Sequence, residues 1–217
     1  MWLSRSAFAV KVIGRAVLRE TYHRDVNLAP LARSAAWTHV GVRTGFEVLF
    51  VDELDLGHRL RGHTTAREML FSWSVAYQVE LDSDWRTRSV WATNSTVEGE
   101  RDVSLVCVNE RWTVNGVPRP DLDGCVDVDF ESSAATNTLP LHRVSFVPGE
   151  VIEVPAAFIR ADDLRVERLE QLYTLESAKD DCLEFHYDSS TFDFECELRY
   201  DASGLVLDYP GIAVRER

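Results

Sequence analysis

The sequence predicts an all-β domain, a single antiparallel β roll or half-open barrel, and three observations carry that expectation. The first is alternation: Trp73, Val75, Tyr77, Val79 and Leu81 interleave with Ser74, Ala76, Gln78, Glu80 and Asp82. Successive side chains of a strand point to opposite faces, so such a segment has one face for a core and one for water. The same period returns at 192–200, where Phe192, Phe194, Cys196, Leu198 and Tyr200 alternate with Asp193, Glu195, Glu197 and Arg199. The second is a series of closely spaced turn signals, including Asp82-Ser83-Asp84, Asn115-Gly116, Asp123-Gly124, Pro148-Gly149 and Ala202-Ser203-Gly204. The third is size: 217 residues with 45% hydrophobic content suit one large all-β domain.

Taken in order, the chain opens on a segment unlike the rest. Residues 1–34 hold six basic side chains and two acidic ones, so with a formal charge of −13 overall the remainder carries −17. Apolar residues at 7–10, 12–13 and 16–18 form a stripe broken by Lys11 and Arg15, which a secretory signal would not tolerate. The stretch 3–20 reads as helical. Residues 1–34 are therefore expected to be an amphipathic or disordered extension, or an over-long gene start, with a targeting or membrane-surface helix as the alternative. The folded domain is expected over 35–217.

Strands are expected at about 37–51, 58–67, 70–82, 85–94, 102–109, 111–117, 125–130, 150–159, 164–176, 182–188, 192–200 and 204–209. The Asn115-Gly116 pair supplies the positive φ angles of a type I′ hairpin turn. A turn or two of helix fits within 138–146. An internal echo is visible too. Residues 77–82 end a strand at an acidic turn leading into Trp85-Arg86, and residues 195–201 do the same leading into Leu205-Val206. A duplicated β unit would explain it, although alternation alone produces such echoes.

The acidic body repels phosphate backbones and anionic lipid surfaces, which argues against a nucleic-acid partner. No run of 18 apolar residues exists, so no integral membrane segment is expected. Cys107, Cys125, Cys182 and Cys196 form no C-x-x-C pair and read as free thiols of a reducing compartment, hence a cytoplasmic protein.

Three segments are candidates for function. In Asp84–Trp91, Arg86, Arg88 and Val90 share one face of a regular strand while Trp85, Thr87, Ser89 and Trp91 share the other. Inward arginines would seek carboxylate or phosphate partners; inward tryptophans would make a stacking wall. Solvated arginines over a tryptophan core are the plainer alternative. In 120–130, Asp127 and Asp129 share a face with Cys125, and aspartate is disfavoured in strands. They could pair with Arg86 and Arg88, hold a polar head group, or simply face water. Thr136-Asn137-Thr138-Leu139-Pro140 reads as a defined loop, either a structural turn or a contact rim. No metal spacing, nucleophile elbow, phosphate loop or dinucleotide fingerprint occurs, so no cofactor, metal or catalytic residue is expected.

Several pieces together resemble a bacterial family described as Putative glycolipid-binding. They are Trp37-Thr38-His39, Arg43-Thr44-Gly45-Phe46-Glu47, Trp85-Arg86-Thr87-Arg88, Leu122 to Asp129, Thr136 to Pro140, and Leu205 to Gly211, in order over 37–211. The resemblance implies a β roll like that of periplasmic lipoprotein carriers, and a lipid or glycolipid ligand. It brings no catalytic residues.

The expected function is non-catalytic binding of an amphipathic small molecule. The expected site is an apolar cavity with Arg86 and Arg88 facing Asp127, Asp129 and Asn137 at its mouth, and Trp85 is a further expected ligand-binding residue. A sheet interaction module without ligand and a hydrolase using the paired aspartates are the alternatives.

Overall fold

The computed structural model describes residues 28–179 and 181–217. The expected helix over 3–20 and most of the 1–34 extension lie outside the described residues. The strands are β1 Ser34–His39, β2 Thr44–Leu54, β3 Gly57–Glu68, β4 Phe71–Asp82, β5 Thr87–Thr96, β6 Gly99–Val108, β7 Arg111–Val114 and β8 Val117–Pro118. They continue as β9 Asp127–Phe130, β10 Val151–Glu153, β11 Ala156–Ile159, β12 Val166–Leu169, β13 Leu172–Lys179, β14 Cys182–Ser189, β15 Phe194–Asp201, β16 Val206–Tyr209 and β17 Ala213–Arg215. One short helix, α1 at Leu139–Arg143, follows a 3₁₀ turn at Ala135–Thr138.

Fourteen strands form one antiparallel sheet in the order β10-β13-β14-β15-β16-β17-β1-β2-β3-β4-β5-β6-β7-β8. It consists of two consecutive meanders, β1 to β8 and β13 to β17, joined edge to edge where Trp37 pairs with Arg215. The order ends at β10 and β8, which do not pair with each other, so the roll is open rather than a closed barrel. The expected single strand over 37–51 is two strands, because Gly41 at φ 74° turns the chain between β1 and β2. The Asn115-Gly116 turn joins β7 to β8 with φ 50° and 77°, as a type I′ hairpin requires.

The inward faces follow the alternation. Trp73, Val75, Tyr77, Val79 and Leu81 of β4 are all buried, as are Leu198 and Tyr200 of β15. These faces do not enclose an empty lumen. The segment 127–143 lies against them: Phe130 stacks on Tyr77 at 4.8 Å, and Ala134 to Leu141 are buried throughout. Tyr173 of β13 donates its hydroxyl hydrogen to Asn137 Oδ1 at 2.9 Å. The roll interior is therefore occupied by this segment of the chain.

Strand β9 does not join the large sheet. It pairs in parallel with β11, which pairs antiparallel with β12, in a separate three-stranded sheet. That small sheet covers the concave side, so all four residues of β9 are buried and neither of its faces meets water. The expected loop 136–140 is likewise a 3₁₀ turn running into α1, with Pro140 in the first helical turn, where its missing N–H is tolerated.

Candidate functional site

Glu47 is the anchor of the site. It shares the inward face of β2 with Leu49 and Val51, and it is fully buried. Its carboxylate receives the Tyr77 hydroxyl at 2.8 Å, the Ala134 amide at 2.8 Å and a short hydrogen bond from Ser133 Oγ. Burial pushes its pKa up to about 7, against the pull of those three donors. The contacts tie β2 and β4 to the segment that fills the roll. Gly45, two residues earlier, is required because a side chain there would run into the Thr65 carbonyl of β3.

Asp129 stands on β9 nearby. Thr136 Oγ1 donates to its Oδ1 at 2.6 Å, and among the described residues no cation pairs with it. Burial, with Asp127 and Glu47 adding repulsion, pushes its pKa up to about 7 as well. Asp127 has a different fate. Arg143 at the end of α1 grips it in a fork, at 3.0 and 2.6 Å, and the Asp127 side chain is 1% exposed. Opposite-charge pairing there works against the desolvation that raises its pKa.

A pocket of about 240 Å³ opens where β9, the small sheet and the β14 to β17 meander meet. Asp129, Ser133 and Asn137 supply polar lining; Phe158, Tyr187, Phe192, Phe194 and Tyr209 supply aromatic walls. Two guanidinium groups stand at its sides. Arg43 donates to the Glu131 carbonyl at 2.8 Å, pairs with Glu68 at 3.2 Å and lies over Trp73. Arg160 pairs with Glu167 at 2.7 Å and lies beside the adjoining rings of Phe158 and Phe192, at 5.3 and 4.9 Å. Such a lining can stack a ring and exchange hydrogen bonds with hydroxyl groups.

The residues expected at one cavity mouth do not come together. Arg86 is on the exterior, paired with Glu110 at 2.8 Å, and Arg88 is 53% exposed and pairs with Asp82 at 2.6 Å. Neither faces Asp127 or Asp129 across a mouth. The reason is a β-bulge: Leu81 pairs with Thr87 but Glu80 with Ser89, so Arg88 is the extra residue and the face reverses beyond it. Val90 consequently points inward while Trp91 points out, against the parity of a regular strand. Trp85 is stacked between His58 at 4.3 Å and His142 at 3.9 Å, away from the pocket. Asp129 and Asn137 line the pocket and Asp127 does not, so this pocket does not present the two aspartates as a pair.

Arg43 and Glu47 delimit one of the pieces that carry the family resemblance but were not expected at the site, and neither were Ser133, Arg160 or the aromatic walls. One signal existed for Glu47: a carboxylate at an inward-parity position beside Leu49 and Val51. The others depend on approaches between distant segments.

A family model described as Putative glycolipid-binding matches residues 34–215. The chain belongs to this family. Among solved structures, a DUF1089 family protein from Pseudomonas aeruginosa is similar to this chain at 26% identity, with a TM-score of 0.67. That likeness covers 78% of this chain and 92% of the other. A β-barrel-like protein of the domain of unknown function DUF1849 from Brucella abortus has a TM-score of 0.50 at 10% identity, over 87% and 96% of the two chains, and shows the fold alone. No curated protein matches the chain. Among the described residues, no helix is long and apolar enough to cross a membrane.

Proposed function

We propose that this protein binds an amphipathic small molecule of lipid or glycolipid type without transforming it. The polar part of the ligand sits in the pocket beside Asp129, Ser133 and Asn137, and the apolar part stays outside the roll. The observation that carries this reading is the pocket itself, with aromatic walls and convergent polar groups, in a member of the glycolipid-binding family. Its volume of about 240 Å³ lies below the range of pockets that enclose a whole drug-sized ligand, which favours entry of a head-group ring alone.

The filled interior directs the tail elsewhere. Arg43 on the pocket wall follows Val42, which is 68% exposed, and its partner Glu68 precedes Met69, Leu70 and Phe71, exposed at 88%, 85% and 71%. These four exposed side chains adjoin the Arg43–Glu68 pair in sequence, and we take this apolar tip as the place where a tail leaving the pocket lies. The four thiols are unbonded, which supports a reducing, cytoplasmic setting.

Native mass spectrometry of the purified protein tests the reading. A co-purifying lipid, or a one-to-one adduct with added n-octyl glucoside, is the expected result. A bare spectrum in both cases overturns it.

A further inference from the structure

The arginines on the pocket wall already have carboxylate partners. Arg43 is engaged by Glu68 and the Glu131 carbonyl, and Arg160 by Glu167, with the rings of Phe158 and Phe192 beside it. Glu131 belongs to the lining as well, near Arg160 at 3.5 Å. Asp129 faces the same space and has Thr136 as its side-chain partner, while the buried Glu47 lies directly behind Ser133. On the lining Asp129 and Glu131 equal Arg43 and Arg160 in number, and Glu68, Glu167 and Glu47 just behind it leave an excess of carboxyl groups around the cavity.

A ligand bearing phosphate, sulfate or carboxylate would be placed against this surplus in a site of low dielectric, where repulsion between like charges is strong. A hydroxyl-bearing ring meets no such penalty. It can donate to Asp129 as carboxylate, accept from Asp129 as acid, and rest its C–H face on Phe158, Phe192 or Tyr209.

We infer that this pocket takes an uncharged polyhydroxyl ring and rejects anionic head groups, and that Asp129 is the residue setting that discrimination. The inference rests on the binding reading above and narrows its ligand class.

The groups that face Asp129 are Thr136 from the 3₁₀ turn, Asp127 on its own strand, Glu47 from β2, and the hydroxyls of Tyr173, Tyr187, Tyr200 and Tyr209 from the β13 to β16 meander. Arg43, Arg160 and Glu131 complete the charged lining. Burial holds Asp129 at about 7, so it is mostly ionised at about pH 8 and mostly neutral at about pH 6.

Calorimetric titration of the wild-type protein with n-octyl glucoside and n-octyl sulfate, both below their micelle concentrations, tests the proposal. The two share a tail, and the sulfate keeps its charge at both pH values. At about pH 8 the glucoside should bind at least roughly tenfold tighter. That ratio should shrink several-fold at about pH 6, and again in Asp129→Asn at about pH 8. The pH arm needs no variant and stands even where Asp129→Asn folds poorly. Equal or tighter binding of octyl sulfate, or a ratio that ignores both pH and the variant, overturns this inference and leaves the binding reading intact. Failure of both amphiphiles to bind overturns both.

Discussion

Asp82 and Asp201 make the same turn at corresponding places in the two meanders. Asp82 Oδ1 accepts the amide hydrogens of Asp84 at 3.0 Å and Arg86 at 2.9 Å; Asp201 Oδ1 accepts those of Ser203 at 2.9 Å and Leu205 at 3.1 Å. The backbone repeats the match, with Asp82 N–H on the Arg86 carbonyl and Asp201 N–H on the Leu205 carbonyl. In each turn the third residue after the aspartate has positive φ: Trp85 at 61° and Gly204 at 80°. His142 joins the two, stacking on Trp85 and hydrogen-bonding the Ser203 carbonyl at 2.9 Å. The echo audible in the sequence is thus a repeated backbone device.

Asp82→Ala and Asp201→Ala should each lower stability by about 1–2 kcal/mol, because two amides lose a charged acceptor. The Asn variants, which keep one oxygen, should lose less. Urea titrations of the four proteins check this, and an Ala variant as stable as wild type contradicts it.

Arg143→Ala should be far more damaging, by about 3–5 kcal/mol, since it leaves the buried carboxylate of Asp127 without its partner. Arg86→Ala and Arg88→Ala remove exposed ion pairs and should stay within about 1 kcal/mol of wild type. Thermal or urea unfolding of the three variants orders them. Comparable losses at all three positions would refute the buried assignment of Asp127.

Glu47 links stability to pH in an uncommon direction. Its pKa rises on folding from 4.5 to about 7, so across that window the native state holds more protons than the unfolded state. Stability from this group is therefore present in acid and lost as pH rises to about 7, with a slope of at most about 1.4 kcal/mol per pH unit. His39 and His142, lowered by burial from 6.5 to about 4, act oppositely, and stability from them grows as pH rises between those values. Glu47→Gln should consequently gain ground on wild type steadily from about pH 4.5 to 7 and then run parallel to it. A constant difference across that range, measured by urea unfolding, would sink the assignment.

The apolar tip should matter for ligands and not for folding. Leu70→Ser with Phe71→Ser should leave the unfolding midpoint unchanged, because both side chains are largely in water. Its affinity for n-octyl glucoside should fall about three- to tenfold, in keeping with roughly 0.8 kcal/mol for each methylene no longer covered. Unchanged affinity in calorimetry would remove the tip from the binding surface.

Much of the fold was legible in the residues because a two-residue period is a local property. Tyr77, Val79, Leu198 and Tyr200 announce their inward direction whatever packs on them. The helical turn at 139–143 and the Asn115-Gly116 hairpin were equally local. The site was less legible. Asp129 and Asn137 line the pocket, whereas Arg86 and Arg88 are on the outer surface and Asp127 belongs to Arg143.

By itself the sequence determined an antiparallel roll, the inward face of most strands and the position of its turns, since each follows from neighbours a few residues apart. Which charge meets which was decided only in three dimensions. A single extra residue at Arg88 reversed the face of a strand, and β9 left the large sheet to pair with β11, 29 residues along the chain in the Asp127–Ala156 register. Partners brought together by such long-range approaches leave no period to read.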